Sequence, residues 1–241
     1  MEGSCPSPQP RNPRRPRPPE TYHTDVFMKD DPTPIRTTVT ASPYHAAEFI
    51  KEIARETHEE GLMVGIDTEW RECRDRNGRR CYKVAVLQLC IGRRCLVFQI
   101  YRASGCPREL VYLLSDPDVR FFGVGVDGDV TRLAMDYNLT VTNAVDLRHA
   151  AAEALGRPEL ASVGLKALAL TVMGARVEKP KHVTMSNWAL RALTKEQVAY
   201  ACIDAYVSYE IGRLLLLSGK STSPALPQQA QAHREQLASV D

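Results

Sequence analysis

The stretch VGIDTEW (residues 64–70) decides the fold. A short apolar run ends in two carboxylates one residue apart, Asp67 and Glu69. Alternate side chains of a strand point the same way, so the two acids share one face of the strand LMVGIDTEW (62–70). They repel each other there unless a cation lies between them. Ordinary surface charge is the plain alternative.

Outward from this strand, apolar patterning sets the other elements. IRTTVT (35–40) is a β-branched strand, and SPYHAAEFIKEIARETHEEG (42–61) a helix with Ser42 as N-cap, Pro43 at its first position and Gly61 at its end. KVAVLQLC (83–90) and CLVFQI (95–100) are strands around the turn IGRR, which sets Cys90 opposite Cys95. PRELVYLLSD (107–116) is a short helix. VRFFGVG (119–125) is a strand leading into the helix DGDVTRLAMDYN (127–138). NAVDL (143–147) is a short strand before the helix RHAAAEAL (148–155), and LKALALTVMG (165–174) is a helix ended by Gly174. The last element, TKEQVAYACIDAYVSYEIGRLLLLS (194–218), is a long amphipathic helix starting at Thr194. Strands come first and helices dominate afterwards, which predicts an α/β fold with a mixed central sheet.

The ends differ from this body. Residues 1–20 hold seven Pro and four Arg, so 1–34 is read as a disordered basic tail. It is a nuclear address, a nucleic-acid contact or simply a solvated tail. Residues 35–217 form the domain, and 218–241 lose apolar periodicity and read as a flexible tail. The first 20 residues lack the apolar core of a secretory signal, and no run approaches a membrane helix. The net charge of +2 lies in the tail, so nucleic-acid binding by the domain requires a local patch. Seven cysteines without small-scaffold spacing point to a reducing compartment, and no two further ligands complete a zinc site with Cys90 and Cys95. Nucleus and cytoplasm both remain open.

Beside Asp67 and Glu69 stand Asp129, after a glycine-rich turn at a helix start, and Asp204 in YACIDAY on the last helix. Tyr200 precedes Asp204 by four residues and shares its face. Four carboxylates suit two hard divalent ions, Mg²⁺ or Mn²⁺, of the kind that clamp both oxygens of a phosphodiester. Each element alone has a plain reading: a helix-cap acid for Asp129, a local hydrogen bond for Tyr200 with Asp204. Their combination and order carry the signal.

In VGIDTEW, FFGVGVDGDVTRL (121–133) and SNW with LTKEQVAYACIDAY (193–206), the chain resembles the DEDD superfamily of 3′–5′ exonucleases, in the subclass with a third-motif tyrosine. Within it, it resembles the Werner-type, RNase D-like domain in its free-standing plant form. VAVLQLC and LKALALTVMG fit as well, and the likeness covers about residues 35–217. It implies a ribonuclease H-like fold and a metal-dependent exonuclease that releases nucleoside 5′-monophosphates. It also implies that Asp67 bridges two metals, Glu69 and Asp204 complete the first metal's shell, Asp129 holds the second, and Tyr200 orients water. Asp127 stands where the family often has Glu and is read as a supporting or capping acid.

The substrate has a candidate path. RECRDRNGRRCYK (71–83) carries Arg71, Arg74, Arg76, Arg79, Arg80 and Lys83, a local charge of +4. It reads equally as a hairpin turn kept soluble by charge. Lys179 and Lys181 add positive charge near the third motif. Trp70 and Trp188 are read as structural, His182 as no metal ligand, and Asp146 as a helix cap or support. The alternatives are a catalytically weak nucleic-acid-binding protein on the same fold, or an adaptor whose tails recruit a separate helicase or repair protein. No GxxxxGK[ST] loop occurs in the chain itself.

Overall fold

The structure is a computed structural model and describes residues 20–55 and 61–220. Seven strands form one mixed sheet: β1 (Thr21–Val26), β2 (Ile35–Thr40), β3 (Met63–Arg74), β4 (Arg80–Ile91), β5 (Arg94–Phe98), β6 (Arg120–Gly123) and β7 (Ala144–Asp146). Their order is β1-β2-β5-β4-β3-β6-β7. β3 pairs antiparallel with β4 and parallel with β6, which puts the VGIDTEW strand inside the sheet.

Helices cover both faces. On one, α1 (Pro43–Ala54), α2 (Arg108–Ser115) and α3 (Val126–Tyr137) bury Phe49, Leu110 and Leu133 against Val64, Ile66 and Leu89. On the other, α4 (Leu147–Ala154), α5 (Leu165–Leu168) and the 26-residue α7 (Lys195–Lys220) pack on Val39, Val86 and Val97. The short α6 (Lys181–Thr184) lies between them in sequence. No helix among the described residues is long and apolar enough to cross a membrane.

Local chemistry explains the element ends. Thr194 and Gln197 cap α7 reciprocally: the Gln197 N–H donates to the Thr194 hydroxyl at 3.1 Å, and the Thr194 N–H to the Gln197 side chain at 2.9 Å. Ser42 caps α1 by conformation alone, without a side-chain bond, and Pro43 opens the helix. α1 is described to Ala54; its expected continuation through 56–60 lies outside the described residues.

Three expectations change. The domain begins before residue 35, because Thr21–Val26 pairs along β2 as an edge strand. Its sequence TYHTDV alternates poorly since only one end is buried, and it follows a proline-rich run. The expected tail therefore reaches at most to the strand, and its residues 1–19, like 221–241, lie outside the described residues. The helix expected over 165–174 changes pitch: α5 passes into a π-helical turn over Ala169–Met173 before Gly174 ends it at φ +68°. The cysteines are not all thiols, since Cys73 and Cys81 face each other across the β3–β4 hairpin and form a disulfide. Cys90 and Cys95 are opposite each other as expected and are free and buried.

Candidate active site

The site is built where α7 crosses β3. Gly65 makes the crossing close: a Cβ there would stand 2.6 Å from the Tyr209 nitrogen of α7 and nearer still to the Ala205 carbonyl oxygen. With the helix backbone against the strand, Asp204 comes to the face that carries Asp67 and Glu69. Asp129 arrives from the first turn of α3, whose N-cap Gly125 takes φ +70°, a conformation that costs glycine little. Asp67, Glu69, Asp129, Tyr200 and Asp204 line one open cleft of about 950 Å³. The five residues expected from the sequence are thus brought together.

Burial and crowding set their protonation. Desolvation, then the charges of Asp204 and Asp129, hold the Asp67 carboxyl well above its ordinary range. Desolvation and the Asp67 charge push Glu69 to about 9. Desolvation raises Asp129 to about 6 against the opposing pull of hydrogen bonds from Thr68 and Trp70. Asp204, only 1% exposed, is raised by desolvation and restrained by Lys179, whose ammonium lies 2.6 Å from its Oδ2. Burial, with the Asp204 charge, also pushes the Tyr200 phenol up, so it stays protonated and able to donate.

The donor set suits a hard divalent ion: all candidates are carboxylate oxygens, they raise one another's pKa, and Asp204 Oδ1 is buried without a hydrogen-bond partner. Among the described residues, however, no three acidic, histidine or cysteine side chains are gathered closely enough to hold one ion. Two of the carboxylates are engaged elsewhere, Asp204 by Lys179 and Asp129 by the Thr68 hydroxyl. The residues fit the group in kind.

The basic residues divide. Arg71, Arg80 and Lys179 line the cleft. Arg71 stacks 4.3 Å from the Tyr101 ring centre, and Arg80 pairs with Glu72 at 3.1 Å. Arg74 binds the Gly78 carbonyl within the hairpin, while Arg76, Arg79, Lys83 and Lys181 are exposed away from the cleft lining. His182 lies 3.3 Å from Glu196. Trp188 is core at 1% exposure, and Asp146 caps α4 through the Arg148 N–H. Trp70 differs from expectation. It keeps the face opposite Glu69, which it shares with Thr68, yet it also lines the cleft: its indole N–H donates to the Thr68 hydroxyl at 2.6 Å.

Sequence reasoning passed over two features of the cleft and one residue behind it. Thr68, between the two strand acids, fixes Asp129. Tyr101 and Arg102 form the rim facing Arg71. Gln88, the register partner of Asp67, is buried with both amide atoms unpaired; a lone polar residue in VAVLQLC was its signal.

Residues 40–218 match the 3′–5′ exonuclease family. A 3′–5′ exonuclease of Arabidopsis thaliana is 33% identical over 180 residues, covering 74% of this chain and 61% of the relative. The bifunctional 3′–5′ exonuclease/ATP-dependent helicase WRN of Mus musculus is 34% identical over 166 residues, 68% of this chain and 12% of that protein. The chain therefore spans less than two thirds of the length of either relative. Among solved structures, RNase D of Escherichia coli superposes with a TM-score of 0.63 at 19% identity, over 82% of this chain and 48% of that one, and shares the fold, a ribonuclease H-like one.

Proposed function

The chain belongs to the family of 3′–5′ exonucleases, a divalent-metal-dependent family acting on nucleic acids, and from that membership we propose that its cleft hydrolyses phosphodiester bonds from a free 3′ end. The observation that carries the reading is the meeting of four carboxylates from three distant segments with one protonated tyrosine. Asp67, Glu69, Asp129 and Asp204 would hold two ions, Mg²⁺ or Mn²⁺. Bound there, such ions lower the pKa of water and neutralise charge on the departing 3′ oxygen.

The chain's own groups do the rest. Tyr200 donates a hydrogen bond that orients the attacking water; its raised pKa disqualifies it as a base. Thr68 holds Asp129 in place, and Trp70 holds Thr68. Arg71, Arg80 and Lys179 offer positive charge to the phosphates entering the cleft. The product is a nucleoside 5′-monophosphate.

The test is a time course on a 5′-labelled single strand and a recessed duplex, in DNA and RNA. It runs with Mg²⁺, Mn²⁺ or EDTA, beside Asp67→Asn. A ladder shortening from the 3′ end, lost in EDTA and in the variant, is expected. Binding without any ladder in either metal overturns the proposal.

A further inference from the structure

Lys179 stands where a cation is needed. Buried Val177 anchors the chain just before it, and Pro180 follows as the N-cap of α6. From there the side chain enters the acidic cleft. Its ammonium is 2.6 Å from Asp204 Oδ2 and 5.4 Å from the Tyr200 ring centre, and the charges of Asp67 and Glu69 act on it as well. Asp204 is 1% exposed, so its partner is fixed by the protein rather than by solvent.

A divalent ion binds carboxylate oxygen at about 2.0–2.6 Å. An ion on Asp204 would stand within a few ångströms of the ammonium, and two cations repel strongly at that range in a poorly hydrated site. The pair as it stands also leaves Asp204 Oδ1 without a partner, so it does not complete the carboxylate's bonding.

We propose that Lys179 is an exchangeable counter-ion: it neutralises Asp204 in the metal-free protein and leaves that carboxylate when a divalent ion binds. The freed ammonium remains in the cleft, available to a phosphate oxygen of the substrate. This rests on the nuclease reading above. The ordinary alternative is a permanent ion pair that ties the loop to α7. The two differ in sign: a permanent tie supports metal binding, whereas a resident cation competes with it.

The test is calorimetric titration of Mn²⁺ into metal-free wild type, Lys179→Met and Lys179→Gln. Removal of the competitor should tighten binding by about fivefold or more, at the lower end of ordinary site-to-site coupling. In parallel, the side-chain NMR signal of Lys179 in the wild type should move when Mg²⁺ is added without nucleic acid. Unchanged or weaker Mn²⁺ binding by both variants overturns the exchange. If neither variant folds, the wild-type signal decides, and a signal that stays put while Mg²⁺ binds overturns it too. A wild type that takes up neither metal refutes the nuclease reading itself, a distinct failure.

Discussion

Gly65→Ala probes the joint on which the site depends. A methyl group at Gly65 would lie 2.6 Å from the Tyr209 nitrogen and 2.9 Å from its Cβ. Non-bonded carbon contacts are comfortable at about 3.5–4.0 Å, so α7 must retreat by roughly an ångström. The obstacles are helix backbone and a Cβ, which have no rotamer to yield. Overpacking of this kind costs about 1–3 kcal/mol, and the upper half of that range applies here. The same displacement carries Asp204 and Tyr200 away from Asp67, and a misplacement of about 1 Å costs on the order of a hundredfold in rate. The assay is kcat/KM on a 5′-labelled single strand, with denaturant unfolding in EDTA. Gly105→Ala is the control, since a Cβ there meets nothing within 4 Å. Activity within about threefold of wild type, with stability within about 0.5 kcal/mol as for an ordinary surface change, would refute the close-crossing account.

The metal-free protein should become less stable as pH rises. Asp67, Glu69, Asp129 and Asp204 have folded pKa values above their ordinary ones, so the folded state binds more protons than the unfolded chain. The loss begins above the ordinary carboxylate range and runs through about 6 for Asp129 and to about 9 for Glu69, and saturating Mg²⁺ should flatten it. Unfolding curves from pH 5 to 9 that rise in EDTA would contradict this. By the same repulsion, Asp67→Asn should abolish cleavage while leaving the EDTA melting temperature equal or higher; a clear drop would make Asp67 a structural residue. Thr68→Val removes the hydroxyl that lowers the Asp129 pKa, so kcat/KM at neutral pH should fall by about tenfold, the weight of one hydrogen bond to a charged group, and recover partly at higher pH. Arg71→Ala should reduce the salt slope of nucleic-acid binding by about 0.7–0.9 and Arg76→Ala by less, because Arg71 lines the cleft and Arg76 does not. Equal slopes would show that the whole hairpin, not the cleft, meets the phosphates.

The proposed catalytic acids were legible because their chemistry forces a pattern. Asp67 and Glu69 interrupt an apolar strand on one face, and Tyr200 and Asp204 share a helix face. The buried strands and most helices followed from periodicity. The misses have physical causes. β1 is an edge strand with one buried end, so its sequence has no reason to alternate. Trp70 was read as structural because its place in the cleft depends on Asp129 and Thr68, which only the fold brings beside it. The ion pair of Lys179 with Asp204 was not legible, because a cation's partner depends on where a loop delivers it and Asp204 is far away in sequence. The Cys73–Cys81 pairing needed the hairpin register, which places the two residues opposite each other.

On the proposed function, the crossing of α7 over β3 also governs when the site is complete. Asp67, Glu69 and Asp129 are synthesised well before Asp204 and Tyr200, and the helix that brings the latter is about 39 Å long. Until it docks, β3 and α3 offer three of the proposed acids without Tyr200 and without the helix wall that closes over Gly65. On the proposed function, a nascent chain still anchored in the ribosome short of that helix carries an incomplete site, lacking Tyr200 and Asp204. Assembly from segments far apart in the chain makes completion of that site a late event, reached only after the sheet has formed to receive the helix.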